Sequence, residues 1–150
     1  MIIDTPAGIR GFELNDFVTN TDYIIIPVVP SQSDINATAQ LISELLLNVK
    51  IRKLAVKVAV VTNLVKKNTK ILERLASFLE KLDFPVVTSF RDTQNYVNAE
   101  TQGLGIHEIY PPSRARRDME NMEKLFNYIE QGTAKELFSE HFDKHQINTN

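Results

Sequence analysis

Two stretches of the chain are apolar almost without interruption: Tyr23-Ile24-Ile25-Ile26-Pro27-Val28-Val29 and Ala55-Val56-Lys57-Val58-Ala59-Val60-Val61. Continuous β-branched runs of this length predict strands buried on both faces, as in a parallel sheet sandwiched by helices. Pro27 has no N–H to give to a ladder, so a bulge or irregularity is expected there. Between the two runs, Ile35, Ala39, Ile42, Leu46 and Val49 step by four and three. That spacing puts one apolar stripe on a helix. Ser31 and Ser33 stand where a helix N-cap is needed.

The alternation continues. Asn68 or Thr69 can cap a helix whose stripe is Ile71, Leu72, Leu75, Leu79 and Leu82. Phe84-Pro85-Val86-Val87 reads as a short strand. Thr93 to Glu100 reads as a short helix, ended by Gly103 and Gly105. Pro111-Pro112-Ser113 is a stop followed by a cap, and Ala115, Met119, Met122, Phe126 and Ile129 make the next stripe. Met119 and Met122 read as core filler rather than ligands. Gly132-Thr133 breaks the pattern, Ala134 to Phe142 predicts a last helix, and 146–150 reads as a disordered tail. Strands alternating with helices imply repeated βα units, hence an α/β fold with a mostly parallel sheet. No repeat or linker divides it, so residues 1–145 read as one domain.

Composition narrows the class. The chain has 150 residues, 43% hydrophobic and 24% charged, the make-up of a globular domain with a real core. No apolar run reaches the roughly 18–20 residues that span a bilayer. Met1-Ile2-Ile3-Asp4 does not have the pattern of a secretory signal. The absence of cysteine excludes disulfides, thiolate metal sites and a cysteine nucleophile. A cytoplasmic location is the expectation. His107, His141 and His145 make no convincing metal set, because the last two share a terminal segment without a third ligand.

Net charge is −2, but its distribution says more. Residues 1–49 hold six acids and one base, Arg10. From Leu45 to Leu72 there are seven bases and no acid: Lys50, Arg52, Lys53, Lys57, Lys66, Lys67 and Lys70. Arg114, Arg116 and Arg117 form a second basic knot, after which the chain is acidic again from Asp118. These are either solvated helix and loop ends or a basic face that meets phosphates.

The candidate chemistry begins at Met1-Ile2-Ile3-Asp4-Thr5-Pro6-Ala7-Gly8. An acid at the C-terminal end of a buried strand sits at the ligand edge of a parallel sheet. The alternative is an Asp that caps a helix starting near Arg10 or Gly11. "IIDTPAG" followed by "DYIIIPVVPSQSDINATAQLI" resembles the Walker B and switch II segment of ParA/MinD-type P-loop ATPases, with the strand and helix that follow it. "VAVVTN", "PVVTSFRDTQNYVNAETQGLGIHEI" and "PPSRARRDMENMEKLFNYI" resemble later family segments in the same order, so the likeness covers about residues 1 to 130.

The resemblance implies a partial three-layer α/β/α P-loop fold and a set of roles. Asp4 would be the catalytic acid that holds Mg²⁺ through a water. Thr5, Pro6, Ala7 and Gly8 would be the switch that senses the γ-phosphate of ATP. Asn63 would hydrogen-bond adenine, or else serve as a strand-end turn residue. Phe90, Arg91 and Asp92 would lie beside the base, although the family has Pro where Phe90 stands. Non-specific DNA binding would fall to Arg114, Arg116 and Arg117, then to Lys66, Lys67 and Lys70. Implied partners are DNA, a ParB-like protein or a half that carries the P-loop, and the setting is plasmid or chromosome segregation.

The departures are larger than the matches. The 150 residues contain no Gly-Lys-Thr/Ser loop and only five glycines. The amides, lysine and hydroxyl of that loop hold the phosphates and Mg²⁺. A truncated family member that binds ATP and Mg²⁺ weakly or not at all, and hydrolyses no ATP on its own, is therefore expected. The alternative is a stand-alone, non-catalytic module that binds DNA or a partner. A response-regulator receiver domain fits less well, since it needs an acidic pair and a late lysine. If a central strand is missing beside the 23–29 run, open edges follow, and self-association is expected.

Overall fold

The computed structural model describes residues 1–6, 8–82 and 84–131. The expected last helix, the 146–150 tail, His141 and His145, and Ala7 of the switch segment lie outside the described residues. Helix α1 spans Gly11–Thr19, strand β1 Tyr23–Val28, α2 Gln32–Leu47, β2 Lys57–Val65 and α3 Lys70–Leu79. They are followed by β3 Val86–Arg91, α4 Gln94–Thr101 and α5 Arg116–Gln131, with short 3₁₀ turns between. Among the described residues the sheet has three strands in the order β1-β2-β3, all parallel. The fold is α/β, as the alternation of patterns predicts, and is consistent with part of an α/β/α sandwich.

Side chains of the sheet alternate between two cores. One face carries Ile26, Val28, Val58 and Val60 and packs on α1, α2 and α3 through Leu14, Val18, Ile35, Ile42, Leu45, Leu75 and Leu79. The other carries Ala59, Val61 and Val87 and packs on α5 through Tyr128, with Met122 and Leu125 partly buried beside it. The caps sit where the sequence puts them. Ser31 Oγ accepts from the Asp34 amide at 3.1 Å and Thr69 Oγ1 from the Leu72 amide at 3.3 Å.

Pro27 causes no bulge. The β1·β2 register runs unbroken through Pro27↔Val61. The Lys57 amide donates to the Asp22 carbonyl at 2.9 Å, which turns the even-numbered residues of β1 toward β2 and the odd-numbered ones toward the open side. The donor that proline lacks would therefore have faced an unpaired edge, where its loss is tolerated. For the same reason β1 is not buried on both faces: Tyr23, Ile24 and Ile25 are half-buried and Pro27 is exposed.

The third strand runs further than the Phe84–Val87 expectation. Pro85 supplies only its carbonyl, to the Val60 amide at 2.9 Å, and the ladder continues to Arg91. The α5 stripe is rotated from the one expected. Ala115 is buried, but the face continues through Asp118, Asn121 and Tyr128, while Phe126 and Ile129 are exposed. Polar partners allow this. Asn121 Nδ2 donates to the Ser89 carbonyl at 2.9 Å, and Thr88 Oγ1 donates to the Asn121 carbonyl at 2.9 Å. A buried polar group that is fully paired can occupy a core position.

Candidate functional site

The strands are parallel, so their C-terminal ends share one edge of the sheet, where ligands of open α/β sheets bind. At the end of β2 the pairing with β3 slips between Thr62 and Val65. Leu64 takes φ +51°, and Asn63 Oδ1 accepts from the Leu64 amide at 2.9 Å. A left-handed leucine costs roughly 1–2 kcal/mol, so the neighbouring asparagine is part of what holds the bulge. Leu64 stays half exposed, at 51%.

At the end of β3, three residues separate sharply. Phe90 is buried and meets Tyr96 edge to face, with ring centroids 6.4 Å apart. Arg91 reaches α5: Nε donates to Asp118 Oδ1 at 2.6 Å and Nη2 to Oδ2 at 2.8 Å. Asp92 is exposed and pairs with Lys66 at 3.1 Å, which links the ends of β3 and β2.

Asp118 is the residue that sequence reasoning missed. Its side chain is fully buried, and Asn95 Nδ2 also donates to it at 2.7 Å and to the Arg114 carbonyl at 2.9 Å. Burial pushes its carboxyl upward. The hydrogen bonds from Arg91 and Asn95, with the charges of Arg91 and Arg117, outweigh this and hold it below the usual carboxylate value. Burial, and then the Asp118 charge, push the Tyr96 hydroxyl up to about 12. That hydroxyl is buried and has no hydrogen-bond partner. In the sequence Asp118 is one more acid after the arginine knot; only its spacing from Ala115 and Asn121 could have marked it as inward-facing.

The N-terminal motif lies elsewhere. Met1 to Pro6 form neither helix nor strand, and all six residues are exposed. The strand end expected at Asp4 is not formed among the described residues. Thr5, Pro6 and Gly8 line a groove of about 820 Å³ against β1 and α2; Asn63, Phe90, Arg91 and Asp92 do not. The motif and the proposed base-facing residues thus do not share this groove.

The fit to ATP and Mg²⁺ follows from this. Asp4 stands exposed, and among the described residues no group of three His, Cys, Asp or Glu side chains could hold a metal ion. Arg91 is committed to Asp118. Among the described residues, Asp4, Asn63, Arg91 and Asp92 are not brought together around one place for a triphosphate and its metal.

The six basic candidates are all exposed. Lys66, Lys67 and Lys70 follow the end of β2, while Arg114, Arg116 and Arg117 surround the start of α5. The Lys66–Asp92 and Arg91–Asp118 pairs connect both groups to the end of β3. No helix among the described residues is long and apolar enough to cross a membrane.

Among curated proteins, the chain is similar to the Maintenance of carboxysome distribution protein A of Halothiobacillus neapolitanus, with 26% identity over 130 residues. The match covers 86% of this chain and 59% of that protein. The chain therefore spans about three fifths of the length of the curated relative it matches. No family model matches the chain. No solved structure matches it. The likeness supports a distant ParA/MinD-like relationship and nothing narrower.

Proposed function

We propose that the chain is part of a ParA/MinD-like partitioning or positioning ATPase, and that it carries the switch and base-facing segments of the nucleotide domain but not its phosphate loop. The observation that carries this is order. The Asp4-to-Gly8 motif, β1 and α2, β2 ending near Asn63, and β3 ending at Arg91 follow one another as the family's segments do, on a parallel sheet, in a chain with a 130-residue likeness to a distribution protein. On this reading the chain alone does not hydrolyse ATP, because phosphoryl transfer rests on positioning and charge stabilisation by groups that these 150 residues lack. Turnover measured with Mg²⁺ and ATP is expected to match a buffer blank. Turnover above the blank that disappears in Asp4→Ala would overturn it.

A second reading is a non-catalytic module that binds DNA. It is favoured by the gathering of six exposed basic side chains around one edge of the sheet. Removing Arg114, Arg116 and Arg117 together is the variant that tests it.

A further inference from the structure

The bulge near the end of β2 sets two residues of that strand, Asn63 and Leu64, against one of β3, Phe90. A bulge with a left-handed residue ordinarily has glycine there. Here it is leucine, at φ +51°. The other left-handed non-glycine residues among those described, Lys50 and Asn68, are exposed polar residues outside the sheet. Leu64 belongs to neither hydrophobic core and stays half exposed. The leucine therefore strains the backbone, and no core packing offsets the strain. A strained residue that packing does not account for points to function at its position, and bulges beside binding sites re-aim a side chain.

We infer that Leu64 is a ligand contact, an apolar surface at the C-terminal edge of the sheet against which the planar ring of a nucleobase lies. This rests on the base-facing reading above and adds a residue to it. The neighbouring groups agree. Asn63 Oδ1 accepts from the Leu64 amide at 2.9 Å, so the bulge itself orients the asparagine amide. Nδ2 is the group that Asn63 then offers to a ligand. It is a donor, which suits an acceptor nitrogen of a purine ring.

The contact surface is held before a ligand arrives. The Asp92 amide donates to the Val65 carbonyl at 3.1 Å, and the Asp92 carboxylate pairs with Lys66 at 3.1 Å. These two bonds tie the backbone just after Leu64 to the end of β3. Such pre-organisation lowers the ordering cost of binding. An apolar surface with a few placed polar groups at its rim is the usual make-up of a small-molecule site.

The test reads stability and binding in the same variants of the 150-residue chain. Leu64→Gly relieves the left-handed strain and removes the side chain. Its urea midpoint is expected at or above that of the parent. Adenosine, followed by the amide resonances of the labelled chain, is expected to bind it about tenfold more weakly, the share of one apolar side-chain contact. Leu64→Met keeps both the strain and the apolar bulk, and is expected to bind adenosine within about twofold of the parent. A residue that served only the fold would move stability and binding the same way. A Leu64→Gly chain that unfolds more readily than the parent, or does not fold, would show that the leucine serves packing and would overturn the inference. So would a Leu64→Met chain that binds as weakly as Leu64→Gly. A stable Leu64→Gly chain that binds adenosine as well as the parent also overturns it, and the base-facing reading then stands on the perturbations at Asn63 and at Arg91 to Thr93. A parent chain in which adenosine perturbs nothing from Asn63 to Val65 removes that reading and the inference together.

Discussion

The guanidinium of Arg91, at the end of β3, meets the carboxylate of Asp118, in the first turn of α5, through two parallel hydrogen bonds of 2.6 and 2.8 Å. The carboxylate is fully buried and the arginine is 39% exposed. This pair, with Asn95, ties the starts of α4 and α5 to the end of β3, beside the Asn121 and Tyr128 contacts further along α5. Its members are not equivalent. Asp118→Ala leaves an arginine that can turn to water, and about 2 kcal/mol of stability is expected to be lost. Arg91→Ala leaves a buried carboxylate with Asn95 as its remaining partner, and a larger loss, about 3–4 kcal/mol, is expected. Urea unfolding of both variants checks the order.

Acid should loosen the same joint. The folded state holds the Asp118 carboxyl below its ordinary value, so the unfolded chain binds that proton more readily. The contribution is present above the ordinary carboxylate value, near 4, and is lost as pH falls through the lower folded value. The melting temperature of the parent should drop as pH is lowered below about 4. Asp118→Asn should start less stable and show a flatter profile there. Equal slopes would place the acid sensitivity elsewhere.

Alkali acts through Tyr96. Its hydroxyl is pushed up to about 12 by burial and by the Asp118 charge. A raised value means that the contribution is complete below the ordinary tyrosine value, near 10, and is lost as pH rises toward 12. Tyr96→Phe should remove that part of the alkaline loss. It should cost little at neutral pH, because the hydroxyl has no partner to lose.

DNA binding, if carried by the basic edge, should be electrostatic. Affinity of the parent for random-sequence duplex is expected to fall steeply with salt. The Arg114, Arg116 and Arg117 triple alanine variant should bind more weakly at low salt, with a log–log salt slope shallower by about 2 to 3. The hydrogen bonds that hold the buried Asp118 come from Arg91 and Asn95, and Arg117 acts on it only through its charge, so the fold of the triple variant should persist. Unchanged affinity would remove these arginines from the interface.

The fold was legible because its signal is apolar spacing. The runs that became β1 and β2 and the stripe of α3 were readable, and that of α2 in part: Ile35 and Ile42 are buried as expected, with Thr38 and Leu45 in place of Ala39 and Leu46. What escaped was polar. Asp118 and Asn121 occupy core positions on α5 because Arg91, Asn95, Ser89 and Thr88 satisfy them. A search for apolar residues alone turns that helix toward Phe126 and Ile129. Pro27 misled for a related reason: its effect depends on which side of β1 has a neighbour, and sequence does not carry that. Asn63 was legible as a strand-end residue, but its hold on the left-handed Leu64 belongs to three dimensions. Asp4 was legible as a motif, while its setting needs strands that these residues do not form.

The most direct measurement is a titration of the isotope-labelled chain with ATP and, separately, with adenosine, followed by the amide resonances. If the chain carries only the base-facing part of a nucleotide site, any perturbation should fall at Asn63 to Val65 and at Arg91 to Thr93. The two ligands should then bind with similar, weak affinity, because the phosphates find no cradle. ATP binding far more tightly than adenosine, or perturbations confined to other parts of the chain, would contradict that reading.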